Sequence, residues 1–353
     1  MTSIYLVEEK GVNNDYSSTV NEIISINPDK IICLCMNEVD AQLIFRTFFD
    51  QIKPWLKNNN KIINLVVPHI NDIFIEEGIK AERTYGYILF HLLSNYNIEE
   101  MTLPLSVLPP QYMHLHNKTD LLYTCYNRRN EVARAMLVDE LVRENLLQYG
   151  IVTYHQPNNA TWKYHNGTKL MDEPDYEIYS QYNSKYAPSN YPASMMRGFF
   201  DIVTESRYAP NEYFITEKTL KSIMLLRPFI AFSSTGYSTE YLAKYIGLEL
   251  YDEMFDYKFD SGNSLEERID GIINNVTRLK NQIPDLKTKH SIYKKLIPKL
   301  IRNRNKIVDI FFDKTKIVPD CLQILMSDKK YTLSGCTNHT LLIHMRRMGW
   351  ITE

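Results

Sequence analysis

What most constrains this chain is a repeated alternation of short, continuous apolar runs with segments of helical spacing. The runs Lys30–Met36 (KIICLCM) and Lys61–Val67 (KIINLVV) are β-branched and lack a polar face. A strand buried on both sides reads this way, and such strands belong to parallel sheets covered by helices. Between them, DAQLIFRTFFDQIKPWLK places Leu43, Phe45, Phe48, Phe49 and Ile52 at helical spacing. After the second run, GIKAERTYGYILFHLLSNY is predicted as another helix. The β-α-β-α order predicts an α/β fold with a doubly wound sheet.

Pro104, Pro109 and Pro110 interrupt this pattern in LPLSVLPPQYMHLHNKTD, and proline denies both helix interior and central strand. A domain linker is expected there. Beyond it, LLYTCYN (121–127) restarts a strand, and NEVARAMLVDELVRENLLQYG is an amphipathic helix with Gly150 as its stop. IVTYH is the next strand, and residues 156–192, rich in Asn, Tyr and Pro without period, are expected as a long loop. From Phe199 the alternation is clearest: strand FFDIVTES, helix TEKTLKSIMLL, strand PFIAFSS, helix STEYLAKYIG and short strand LELYD. The chain then turns helical and basic beyond Leu265, and CTNHTLLIHMRRMGWITE closes it as one more short helix.

A chain of 353 residues has room for two cores, since single cores stop growing at roughly 250–300 residues. The reading is a Rossmann-like domain over 1–115, a second over 120–265, and a helical, basic C-terminal extension over 266–353. The formal charge of -2 provides no global attraction for nucleic acid or anionic membrane, so any polyanion must be met by a local patch. No window approaches the 18 or so apolar residues of a membrane span, and MTSIYLVEEKG lacks the layout of a secretory signal; a cytoplasmic protein is expected. Five scattered cysteines with no CxxC pair predict reduced thiols and no zinc site.

Chemistry is expected at the carboxyl ends of the strands, where ligands sit in open α/β sheets. In FITEKTLKSIMLL, Thr216 is placed to cap a helix that begins with Glu217 and Lys218. A lysine in the first turn opposes the helix dipole unless an anion is expected, and a diphosphate would resolve that conflict. Glu217 beside it can accept from two vicinal ribose hydroxyls. Two other strand ends are polar: DIVTESRY with Glu205 and Ser206, and YNRRNEVAR with Asn127, Arg128, Arg129 and Arg134. Guanidinium groups suit a diphosphate geometrically. Each of these clusters alone reads equally as a cap or a solvated surface charge; their convergence on three strand ends of one domain favours a site.

The order YNRR, DIVTES, FITEKTLKSIMLLRPFIAF resembles viral and bacterial glycosyltransferase-like proteins related to the fucosyltransferase family, over roughly Leu121 to Asp260. The resemblance implies a GT-B fold, two Rossmann-like domains facing a cleft, and a nucleotide-diphosphate sugar as donor substrate, with no further cofactor. It makes Glu217 the ribose-binding carboxylate, Lys218 the phosphate-binding cation, Arg134 or Arg129 the phosphate-binding arginine, and Glu205 with Ser206 the counterpart of the family's Glu-Asn pair. The family's tyrosine falls on Phe214, which removes a hydroxyl and leaves a guanosine-diphosphate donor unsecured. The expected acceptor is a hydroxyl on a glycan, a protein or a modified DNA base.

An inverting transfer wants a base from the N-terminal domain. Glu38 and Asp40 follow the first apolar run and His69 the second; Glu38 is the first choice, and capping of the next helix is the alternative role. No Asp-x-Asp motif occurs, which favours a metal-independent transfer. The competing reading is a nucleic-acid-binding protein that works through Arg278–Lys306, where ten Lys and Arg side chains face the single acid Asp285.

Overall fold

The computed structural model describes residues 2–8, 15–34, 41–67, 79–83, 119–127, 131–154, 197–210, 213–318, 320–327, 330–336 and 340–351. Its strands are β1 (Thr2–Glu8), β2 (Lys30–Leu34), β3 (Ile63–Val67), β4 (Ile79–Arg83), β5 (Leu121–Asn127), β6 (Gly150–Tyr154), β7 (Gly198–Thr204), β8 (Phe229–Phe232) and β9 (Tyr331–Gly335). The principal helices are α1 (Ser17–Ile26), α2 (Ala41–Asn59), α3 (Val132–Arg143), α4 (Glu217–Met224), α5 (Leu265–Gln282), α6 (Leu286–Phe312) and α7 (Thr340–Arg347), with a π-helix over Tyr237–Ile246. No described helix is long and apolar enough to cross a membrane. The chain forms two compact units, Met1–Phe90 with Ile310–Glu353, and His91–Asp309.

The first unit holds a parallel sheet in the order β4-β3-β2-β1-β9. On one face Tyr5, Val7, Ile31, Cys33, Ile63 and Leu65 meet Tyr16, Val20 and Ile23 of the α1 region and the Phe45, Phe48, Ile52 stripe of α2. The alternate residues Ile4, Leu6, Ile32, Leu34 and Val66 are buried as well, so both faces are covered. That is why the strands read as unbroken apolar runs.

The second unit holds a four-stranded parallel sheet, β6-β5-β7-β8. Every residue of β7 is buried, including Asp201. Its carboxylate accepts two bonds from the equally buried Arg227, Nε to Oδ2 at 2.7 Å and Nη2 to Oδ1 at 2.6 Å. The hydroxyls of Thr124 and Ser222 donate to the same carboxylate, and Arg227 also donates to the Gly198 carbonyl at 3.0 Å. A charge inside a parallel sheet survives only when paired and hydrogen-bonded in this way.

Several expectations are corrected. Residues 79–83, read as the start of a helix, form β4, and pairing with β3 overrides the helix preference of Lys, Ala, Glu and Arg; the rest of that segment lies outside the described residues. Helix α3 ends at Arg143, with Asn145 left-handed at φ 52°, so asparagine rather than Gly150 stops it and Gly150 opens β6. LELYD is not a strand. Its Glu249 backbone instead pairs with the Asn303 side chain, N to Oδ1 at 2.7 Å and O from Nδ2 at 2.8 Å, which takes the groups a ladder would use. STEYLAKYIG is a π-helix rather than an α-helix.

The predicted extension over 266–353 is divided between the units. Helix α5 packs on α3 within the second unit, whereas β9 returns to pair with β1 in the first. Gly335 makes that return feasible: its φ is +79°, and a Cβ there would collide with the Leu6 carbonyl of β1. The proline-rich linker and the long loop over 156–192 lie outside the described residues. Cys33, Cys125 and Cys321 are buried, and burial pushes the Cys125 thiol up to about 12.

Candidate functional site

In the second sheet β6 and β8 lie on opposite sides of the β5–β7 pair, so the crossovers leave that pair in opposite directions. The crevice outside the carboxyl ends of such a pair is where parallel α/β folds receive ligands. Asn127, at the end of β5, is fully buried. Its N–H donates to Thr153 Oγ1 at 3.0 Å, and its Oδ1 accepts the Thr204 hydroxyl at 2.7 Å. It joins the ends of three strands, which accounts for its burial.

Glu205, directly after β7, is also fully buried. Oε1 accepts from the Thr216 N–H at 3.2 Å, the Thr219 hydroxyl at 2.5 Å and the Tyr237 hydroxyl at 3.1 Å, and Oε2 accepts the Thr216 hydroxyl at 2.5 Å. Burial raises this carboxyl above the usual range, against the pull of the Lys218 ammonium and of the two threonine hydroxyls. Glu205 thereby ties the end of β7 to the first turn of α4 and to the π-helix.

Thr216 caps α4 as the sequence predicts, its Oγ1 accepting the Lys218 N–H at 3.2 Å. The Lys218 ammonium donates to the same Oγ1 at 3.1 Å and lies 3.2 Å from Glu217 Oε1. Side-chain exposures of 23% and 29% put this pair at the boundary between core and solvent. One turn on, burial lowers the Lys221 ammonium while Glu217 holds it up. Lys218 thus adds its charge to a helix N-terminus, the end that already carries positive partial charge, and Lys221 follows one turn on.

A second helix N-terminus lies at the same edge and is already filled. The buried Asp260 carboxylate accepts from the N–H groups of Ser238 at 3.1 Å and Thr239 at 2.7 Å and from the Thr239 hydroxyl at 2.7 Å, so the π-helix carries its own anion. Gly236 before it has φ +78°, and a Cβ there would meet the Tyr213 hydroxyl. Tyr213 stacks on Tyr241 at 5.4 Å and 8°, while Phe214 is buried.

Arg134 is held by protein groups. It is 1% exposed, donates to the carbonyls of Thr204 and Glu205 at 3.4 and 3.0 Å and to the Tyr208 hydroxyl at 3.3 Å, and pairs with Glu131 at 3.5 Å. In this arrangement it braces the chain leaving β7. Arg268 completes the brace from α5, donating to the Tyr208 and Gly262 carbonyls and the Thr235 hydroxyl. Ser206 is half-buried beside Glu205. Glu38, Asp40, His69, Arg128 and Arg129 lie outside the described residues.

Of the groups brought together at this edge, the sequence reading missed Thr219, Tyr237, Asp260, Tyr208 and Arg268. Thr219, three residues past the cap, had a legible position. Tyr237 and Asp260 reach the site through the fold and have no local signal.

The basic span Arg278–Lys306 is largely spent on internal bonds. Lys289 is buried and donates to the carbonyls of Thr119, Asp120 and Leu121 at 3.0, 3.1 and 3.0 Å. Arg278 holds the Met254 carbonyl, Lys299 the Leu250 carbonyl, Arg302 is forked on Glu249, and Arg304 is buried. Lys287, Lys294 and Lys295 are its exposed lysines. Lys289→Met is expected to cost about 1–3 kcal/mol, because it strands three carbonyls at the entry to β5. Urea unfolding monitored by circular dichroism measures this, and an unchanged midpoint would contradict the structural role.

No protein-family model matches the sequence, and no curated protein matches it. Among solved structures, the crystal structure of an α1,3-fucosyltransferase with GDP-fucose aligns with 90% of this chain and 91% of its own, at 12% identity and a TM-score of 0.39. Likeness at that level fixes neither fold nor chemistry. What stands on its own is the edge of the second sheet: one helix N-terminus filled by Asp260, and another that presents a carboxylate and an ammonium.

Proposed function

We propose that the chain is a glycosyltransferase that uses a nucleotide-diphosphate sugar, with the donor bound at the carboxyl edge of the second sheet. The observation that carries this reading is the first turn of α4. There a capped helix N-terminus places the Lys218 ammonium, which only an anion makes favourable, next to the Glu217 carboxylate. Lys218 takes the diphosphate and Glu217 the ribose hydroxyls, Ser206 contributes from the end of β7, and Arg129 is assigned the second phosphate contact. Glu205, Asn127 and Arg134 stand behind this surface. Charge that develops on the leaving diphosphate is met by ammonium and helix dipole, without a divalent ion.

The base that deprotonates the acceptor hydroxyl is assigned to Glu38, with Asp40 and His69 as alternatives. The acceptor belongs to a glycan, a protein or a hydroxylated DNA base. The internal bonding of Arg278–Lys306 gives the nucleic-acid-binding reading less support than composition alone suggested.

A thermal-shift panel of GDP, UDP, ADP and CDP tests the reading, since a ligand that binds only the native state raises the melting temperature by linkage. At a hundredfold excess over Kd the stabilisation is about 2.7 kcal/mol. A rise with one base identifies the donor class, and no response to any of the four would overturn the proposal.

A further inference from the structure

We propose that Glu205 is a positioning residue that acts on Lys218 through the Thr216 hydroxyl and so sets where the donor's diphosphate is received. The inference rests on the donor-site reading above and deepens it.

Hydrogen-bond bookkeeping at Thr216 Oγ1 carries the argument. A hydroxyl has one proton to donate and two lone pairs with which to accept. Thr216 Oγ1 lies 2.5 Å from Glu205 Oε2, 3.2 Å from the Lys218 backbone nitrogen and 3.1 Å from Lys218 Nζ. Both lysine groups are donors only, so they claim the two lone pairs and the proton must go to Glu205. The carboxylate thus fixes the hydroxyl's rotation, and the hydroxyl in turn holds both ends of Lys218. Among the described residues, every other group bonded to Glu205 is also a donor: the Thr216 N–H and the hydroxyls of Thr219 and Tyr237. This is an environment built for an acceptor with no proton of its own.

An amide cannot reproduce it. In Glu205→Gln the NH2 placed toward the Thr216 N–H would set donor against donor. Placed at the Oε2 position, it would donate to Thr216 Oγ1 and take one of the lone pairs Lys218 uses. The first orientation strands the Thr216 N–H and pushes away the residue that holds Lys218, the second takes a lone pair from Lys218 directly, and in both the side chain keeps its volume. Thr216→Val removes the hydroxyl and keeps the shape, and Thr216→Ser restores the hydroxyl.

The test uses full-length protein titrated with GDP, UDP, ADP, CDP and inorganic pyrophosphate, and with the corresponding nucleosides. Melting curves are recorded for each variant. Glu205→Gln and Thr216→Val are expected to weaken pyrophosphate and the preferred nucleoside diphosphate by about tenfold or more, the scale of a charge-assisted hydrogen bond, while Thr216→Ser stays close to wild type. Affinity for the nucleoside without phosphate is expected to stay unchanged, whereas a merely structural lesion would lower both together. If wild type binds and Glu205→Gln binds as tightly, or Thr216→Val and Thr216→Ser bind alike, the positioning role is overturned and the donor site survives. If wild type binds none of the probes, the donor-site reading fails and takes this inference with it. Should Glu205→Gln not fold, the valine and serine variants at Thr216 decide the matter alone.

Discussion

Arg227→Met is expected to destabilise the second unit by about 3–5 kcal/mol, the range measured when one partner of a buried ion pair is removed. Asp201 lies at the middle of a strand with no exposed residue, and Arg227 supplies both of its charge-assisted bonds. With the guanidinium gone, the Thr124 and Ser222 hydroxyls remain, and two neutral donors do not replace a bidentate cation. The double variant Asp201→Asn/Arg227→Met is expected to be more stable than Arg227→Met alone, because no uncompensated charge stays in the sheet. Equilibrium unfolding in urea measures both. A loss of less than about 1 kcal/mol for the single variant would show that water reaches Asp201.

The second large effect concerns the two side chains of α4 to which the donor is assigned in the proposal, and they are expected to fail in different ways. Lys218→Ala should weaken both pyrophosphate and nucleoside diphosphates, by about 10- to 100-fold if a charged hydrogen bond of roughly 1.5–3 kcal/mol is lost. Glu217→Ala should weaken nucleoside diphosphates on a similar scale by losing the ribose contacts. Pyrophosphate should bind that variant at least as well as wild type, since Lys218 is then relieved of a carboxylate 3.2 Å away. Calorimetric titration of each variant with both ligands separates the two roles. Parallel losses in both variants would mean that the pair acts as a structural unit.

The alternation of apolar runs and helices was legible because strands buried on both faces admit no polar residue unless it is neutralised. That rule identified β2, β3, β5, β6, β7 and β8 from local sequence. It left β1 unread, although Ile4–Val7 is an apolar run of this kind, and it failed at β4 and β9, whose residues are ordinary helix formers or alternate polar with apolar, and which are strands only because β3 and β1 lie beside them. The division of the C-terminal part between the units was hidden for the same reason: a pairing with β1 across more than three hundred residues leaves no local mark. At the site, Thr216 was readable as a cap and Glu217 and Lys218 as its first turn, because capping is a short-range rule. Arg134 and Glu205 were readable as polar strand-end residues, but their burial and their protein partners follow from packing that the sequence does not display.

The first turn of α4 is proposed to receive a nucleoside diphosphate. The most direct test is calorimetric titration of GDP, UDP, ADP and CDP into the wild-type chain and into Glu217→Ala/Lys218→Ala, with melting curves to show that both are folded. Wild type is expected to bind at least one nucleoside diphosphate saturably, and the double variant none detectably. Equal binding by both proteins would contradict it.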